Sequence, residues 1–247
     1  MSPTRPNSDL SFMMRALDLA RGVRGHVWPN PPVGCVVVRD GMIIAEAATH
    51  PGGRPHAERK ALEMAGEGAR GSTLYVTLEP CCHWGKTPPC ADAIIAAGIS
   101  RVVCAIQDPD PRVNGCGFER LRRAGIAVNV GLCADAAEAV MSGFFNRVRT
   151  GTPELIISDV DISTIPDGVD AVLKTSRVGL MLETRTRVIN CTQKSNDEVM
   201  RWMGAIGLTT FAVHSDDPYF KELHLSDGMA LTRMRSDLSQ QPLITEA

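Results

Sequence analysis

Basic residues are not in surplus in this chain: 26 Lys and Arg stand against 28 Asp and Glu, a formal net charge of −2 over 247 residues. A nucleic-acid-binding face needs positive excess, so nucleic acid is not an expected partner. Long apolar runs are missing too. No stretch approaches the roughly 18 residues of a membrane-spanning helix, and no basic amphipathic segment points to a membrane surface. Residues 1–11 are polar, carry Pro3 and Pro6, and lack the apolar core of a signal peptide. The expected location is therefore cytoplasmic. There is no internal repeat and no low-complexity segment.

What is present is an ordinary globular balance, 44% hydrophobic and 22% charged, long enough for one large domain or a compact domain with a smaller one. The eight cysteines are scattered, and a reducing compartment would keep them as thiols. Cys35 and Cys104 fall within apolar runs and read as core residues. Cys116, Cys133 and Cys191 have no recognisable spacing. Cys81, Cys82 and Cys90 differ, because prolines and an upstream His-x-Glu surround them.

Hydrophobic spacing gives the order of elements. Asn7 or Ser8 caps a first helix on which Phe12, Met13, Ala16, Leu17 and Ala20 recur at helical intervals. Trp28 to Pro32 breaks it. Residues 33–38 read as a buried strand, joined through an Asp40-Gly41 turn to a strand over 42–47. Helices are expected over 57–65, 90–97, 118–124 and 134–149, and strands over 73–78, 101–106 and 127–130. Strands alternating with helices define a layered α/β domain whose later strands run parallel. A boundary falls at Thr150–Pro153. Beyond it the signals weaken to strands over 155–157, 178–182 and 209–213, a helix over 196–205, and a frayed polar tail after Leu231.

One constellation carries chemistry. His56-Ala57-Glu58 lies where a proline-rich loop enters a helix, Glu79-Pro80-Cys81 follows a strand, and Cys90 follows Pro88-Pro89 in a first helical turn. A thiolate there is favoured by unpaired amides and the helix dipole. One imidazole and two thiolates suit Zn²⁺ and leave a fourth position for water, which zinc acidifies from a pKa of 15.7 toward about 7. Glu58 is then the natural carboxylate to move protons. One His, two Cys and a nearby Glu are the signature of zinc base deaminases. Two other readings stand beside this one. A structural zinc site would take Cys82 or His83 as a fourth ligand, and Cys81 with Cys90 would make a redox pair. Eight residues, 82–89, separate the two cysteines, and Lys86 and Thr87 offer a cation and a hydroxyl that suit a phosphate-bearing substrate.

The segments Pro29–Val37, Pro55-His56-Ala57-Glu58, Tyr75–Cys81, His83–Cys90 and Asp108–Pro111 resemble the deaminase domain of the bacterial bifunctional riboflavin-biosynthesis deaminase/reductase family, over about residues 10–153. The resemblance implies a three-layer α/β/α cytidine-deaminase-like fold with a mixed sheet over residues 1–150. It implies hydrolytic removal of the 2-amino group of 2,5-diamino-6-ribosylamino-4(3H)-pyrimidinone 5′-phosphate, a pyrimidine ribonucleotide. By position it implies His56, Cys81 and Cys90 as zinc ligands, Glu58 as proton carrier, and Asn30, His50 and Lys86 as substrate contacts, to which the hydroxyl of Thr87 is added as a further expected contact. Cys82 and Asp110 depart from the family's usual Ser and Asn. The His50–His56 loop is one residue short, and Asp110 adds negative charge near the ribose phosphate.

In that family an NADPH-dependent reductase domain follows. Residues 154–247 contain no Ser-Leu-Asp-Gly segment, no glycine-rich phosphate loop and no late Glu-Gly-Gly. They are expected to form a short C-terminal α/β reductase-like remnant that does not use NADPH and packs on the deaminase or mediates assembly, as a homo-oligomer. Alternatives are deamination of another nucleotide or an RNA base, and a non-catalytic zinc scaffold.

Overall fold

The structure is a computed structural model and describes residues 8–85, 87–158, 162–192, 194–219 and 231–234. The chain divides into two compact units, residues 1–23 with 31–141, and residues 24–30 with 142–247.

The first unit is built on a five-stranded sheet. Its strands are β1 (Gly34–Arg39), β2 (Met42–Ala48), β3 (Thr73–Leu78), β4 (Arg101–Ile106) and β5 (Ala127–Val130), in the order β2-β1-β3-β4-β5. β1 runs antiparallel to both β2 and β3, and β3, β4 and β5 are parallel. Cys35, Val36, Val37 and Val38 are all buried, because β1 lies inside the sheet with helices on both faces. Helices α1 (Ser8–Arg21) and α5 (Ala134–Val140) pack together on one face. On the other lie α2 (Ala57–Ala65), α3 (Cys90–Ala96) and α4 (Cys116–Arg123). This is the expected three-layer arrangement.

α1 comes so close to β1 that a Cβ on Gly34 would stand 1.8 Å from the Ala16 carbonyl oxygen, so only glycine fits there. Asn7, the alternative cap, lies outside the described residues. Asp9 in the first turn accepts from Tyr75 Oη at 2.6 Å and from both Arg101 guanidinium nitrogens, at 3.0 and 2.7 Å. These bonds tie the helix start to β3 and β4.

The helix expected over 134–149 is two. Met141 leaves helical geometry at φ −110°, ψ 15°, and α6 (Ser142–Thr150) begins after it, grouped with the second unit. There Gly143 lies against the Thr209 backbone, with room for no Cβ.

The second unit holds β6 (Glu154–Ser158), β7 (Ala171–Ser176), β8 (Gly179–Thr184), β9 (Val188–Asn190), α7 (Asn196–Ala205), β10 (Thr210–His214) and β11 (Leu231–Met234). Its sheet has the order β11-β6-β10-β7-β8-β9, parallel from β11 to β7 and antiparallel from β7 to β9. Residues 231–234 are thus a strand rather than the start of a frayed tail, because they pair with β6. The remainder of that tail lies outside the described residues. The apolar face of α7, with Val199, Met200 and Met203, packs with Leu155, Leu173, Leu182 and Phe211. Among the described residues, no helix is long and apolar enough to cross a membrane.

Candidate metal centre

His56 is the N-cap of α2, extended at φ −66°, ψ 155°, and its carbonyl accepts from Lys60 N. Cys90 opens α3 directly after Pro89. Cys81 lies between them in the loop leaving β3, where its carbonyl accepts from Ala91 N at 3.1 Å. Two helix starts and one strand exit therefore bring three donor atoms together. His56 Nδ1 stands 3.8 Å from Cys81 Sγ and 3.4 Å from Cys90 Sγ, and all three atoms lie within 4.8 Å of one another. Around a tetrahedral zinc, with bonds of about 2.3 Å to sulfur and 2.0–2.1 Å to nitrogen, such donors stand roughly 3.5–3.8 Å apart. The residues present fit that ion.

The three groups shift one another's protons. The Cys81 thiol is held down to about 4, chiefly by the bond from Cys90 and also by His56 and the Cys90 amide, whose N lies 3.3 Å from Cys81 Sγ. The Cys90 thiol is pushed up, first by that shared bond and then by burial. His56 is raised by its contact with Cys81.

Glu58, in the first turn of α2, is 4% exposed. Burial raises its carboxyl above the ordinary range, and it is bonded to Cys90 and to its own amide. A carboxyl so placed binds its proton more tightly than a solvated one and lies beside the thiols.

Glu79 has the opposite character. Its two oxygens accept from four backbone amides: Gly115 N at 2.9 Å, Gly117 N at 2.8 Å, Asp108 N at 3.3 Å and Phe118 N at 3.4 Å. It pins the loop before α4 to the β3 exit. Gly117 must be glycine, since a Cβ there would sit 2.1 Å from the Pro80 carbonyl oxygen.

Cys82 and Cys116 form a disulfide, with Cα atoms 6.0 Å apart. The expectation that every cysteine stays a thiol is corrected at this pair, since the loop clamped by Glu79 returns Cys116 to Cys82. Cys82 is also removed as a fourth metal ligand, and Cys81 and Cys90 are free thiols.

Three of the four expected substrate contacts lie among the described residues. Thr87 Oγ1 accepts from Arg54 Nη1 at 2.8 Å. His50 is exposed, its Nδ1 3.2 Å from the Pro51 carbonyl oxygen, and no hydrogen bond among the described residues joins it to the cluster. Asn30 is half-buried in the second unit, and Lys86 lies outside the described residues. The charge of Asp110 is balanced: Arg112 Nε lies 2.9 Å from Oδ1, and this guanidinium holds the carboxyl below the usual range. Sequence reasoning missed Arg54, the amide clamp of Glu79 and the Cys82–Cys116 link. The glycines flanking Cys116 were the one visible signal.

A mixed sheet between helix layers, with a His-Cys-Cys cluster and a buried glutamate at one helix start, defines a zinc-binding deaminase. Residues 6–106 match the cytidine and deoxycytidylate deaminase zinc-binding region. The chain is 48% identical over 145 residues to the diaminohydroxyphosphoribosylamino-pyrimidine deaminase of Buchnera aphidicola subsp. Schizaphis graminum, covering 59% of this chain and 99% of that one. It belongs to that deaminase family. It is also 55% identical over 145 residues to the riboflavin biosynthesis protein RibD of Escherichia coli, over 59% of this chain and 40% of that protein's length. The crystal structure of a Thermotoga maritima diaminohydroxyphosphoribosylaminopyrimidine deaminase/5-amino-6-(5-phosphoribosylamino)uracil reductase superposes with a TM-score of 0.71 at 27% identity, over 92% of this chain and 86% of that one.

Proposed function

We propose that residues 1–150 form a zinc-dependent deaminase domain acting in riboflavin biosynthesis. Its substrate is 2,5-diamino-6-ribosylamino-4(3H)-pyrimidinone 5′-phosphate, and water replaces the 2-amino group. The products are 5-amino-6-ribosylamino-2,4(1H,3H)-pyrimidinedione 5′-phosphate and ammonia. The observation that carries this reading is the meeting of His56, Cys81 and Cys90 beside buried Glu58.

His56, Cys81 and Cys90 would hold the zinc. When bound, zinc acidifies water and polarises the reacting centre at neutral pH. Glu58 would take one proton from the attacking water and give it to the ring nitrogen, then pass the second, from the new hydroxyl, to the departing amine as the carbonyl forms, a role that its buried carboxyl supports. Asn30, His50, Lys86 and Thr87 contact the ribonucleotide. A cytoplasmic location and a homo-oligomer complete the reading.

The test offers the purified protein this ribotide and cytidine side by side, with ammonia release and zinc content followed together. Ammonia from the ribotide is expected; ammonia from cytidine alone would overturn the substrate. For residues 154–247 the reading is a shortened reductase-like region without reductase activity. NADPH oxidation coupled to the deaminated product would overturn that.

A further inference from the structure

Resting on the ribotide reading above, we infer that Arg54 is a substrate-specificity residue that binds the 5′-phosphate. Arg54 is half-buried, two residues before His56, in the loop that leads into α2. Its Nη1 donates to Thr87 Oγ1 at 2.8 Å. Its Nη2 lies over Gly85, 3.3 Å from where a Cβ would stand. The guanidinium thus bridges the loop before α2 and the loop before α3, at the edge of the candidate metal centre. Its charge also acts on the His56 imidazole.

The partners of the arginines differ. Arg101, Arg112 and Arg120 each face a carboxylate, from Asp9, Asp110 and Asp92. Arg54 makes no ion pair among the described residues, and its one hydrogen bond there uses one of five N–H donors. A half-buried guanidinium without a counter-charge, with donors left over, is built to take a planar or tetrahedral oxyanion in fork geometry. The loop before α3, which Arg54 reaches through Thr87, also carries His83 Nδ1, buried without a hydrogen-bond partner among the described residues. A ribotide whose ring sits at Glu58 brings its phosphate as the anion of matching charge.

The experiment compares Arg54→Ala and Arg54→Gln with the unaltered chain on two substrates, the ribotide and its dephosphorylated riboside. Zinc content and the thermal unfolding midpoint are measured on each protein. Charge-assisted hydrogen bonds contribute about 1.5–3 kcal/mol, so both variants should lower kcat/KM for the ribotide about 10- to 100-fold more than for the riboside, chiefly through KM. Gln keeps a donor for Thr87 but no charge. Equal losses on the two substrates, or an Arg54→Gln protein that matches the unaltered chain, would show that Arg54 only braces Thr87 and would overturn the inference. Ribose 5-phosphate binding by calorimetry reads the same contact without turnover. Weaker binding in both variants supports the inference, and equal binding overturns it. An unaltered chain that binds ribose 5-phosphate yet releases no ammonia from the ribotide would sink the deaminase reading alone.

Discussion

The two units bury carboxylates for different ends. In the second, Asp170 lies in the core, and its Oδ2 accepts from Thr209 N at 2.7 Å, Thr209 Oγ1 at 2.7 Å and Thr210 N at 3.1 Å. In the first, Glu79 is likewise filled by four amides. Glu58 is as buried as these two but faces a thiol and an imidazole rather than a full set of amides. Burial alone therefore does not set Glu58, the proposed proton carrier, apart. The mark is a buried carboxylate whose neighbours are exchangeable protons and metal-type donors, and among the described residues the second unit has no such cluster.

The sharpest way to break this contrast is to remove each carboxylate. Glu58→Ala should lower ribotide turnover about 10²- to 10⁴-fold, the usual contribution of a proton-transferring group, while zinc content stays at that of the unaltered chain. Turnover within threefold would end the distinction between Glu58 and the structural carboxylates.

The second largest effect concerns the cross-link. Cys82 and Cys116 are 34 residues apart, whereas Cys191 in the second unit is a free thiol. Cross-links of such loops contribute about 3–5 kcal/mol. Non-reduced, denatured protein should titrate six thiols and reduced protein eight. Cys116→Ser should lower unfolding stability by about that amount under oxidising conditions and by much less with reductant. Eight thiols before reduction would remove the link.

Glu79→Gln and Asp170→Asn sharpen the comparison further. Glu79→Gln turns one of two accepting oxygens into a donor that faces amides, and should cost about 2–3 kcal/mol in denaturant unfolding, as expected for buried groups left unpaired. All three bonds to Asp170 reach Oδ2, so Asp170→Asn keeps that oxygen as acceptor and should cost less. Glu79→Gln should also speed amide exchange at Gly115 and Gly117. Unchanged exchange there would show that Glu79 does not clamp the loop.

How much of this was legible depended on whether the information was carried by residue type or by backbone. The strands of the first sheet and the meeting of His56, Cys81, Cys90 and Glu58 followed from apolar runs, prolines and ligand chemistry. The clamp of Glu79 did not, because its partners are amides that every residue carries. The disulfide did not, because a 34-residue separation has no pattern until the loop closes. β7 escaped notice because Lys174 and two hydroxyl residues follow only three apolar ones, and its partner β10 lies some 40 residues on. The break at Met141 escaped because the periodicity of its flanking helices continues across it.

The smallest expected effect is in pH. Burial pushes the Asp108 carboxyl from 3.8 up to about 6, with the nearby charges of Asp110 and Glu79 adding to it. The folded state therefore keeps a proton that the unfolded chain gives up. Its contribution to stability is fully present below about pH 4, falls as pH rises, and is lost above about pH 6. Asp108→Asn keeps an acceptor for the Asp110 amide, which lies 2.9 Å from Oδ1, but removes the titration. The variant should match the unaltered chain near pH 4 and exceed it by roughly 1–3 kcal/mol at pH 7.5. A carboxyl carbon resonance of Asp108 that titrates near 4 in the folded protein would show instead that this carboxylate is solvated, and the pH-dependent difference between the two proteins would vanish with it.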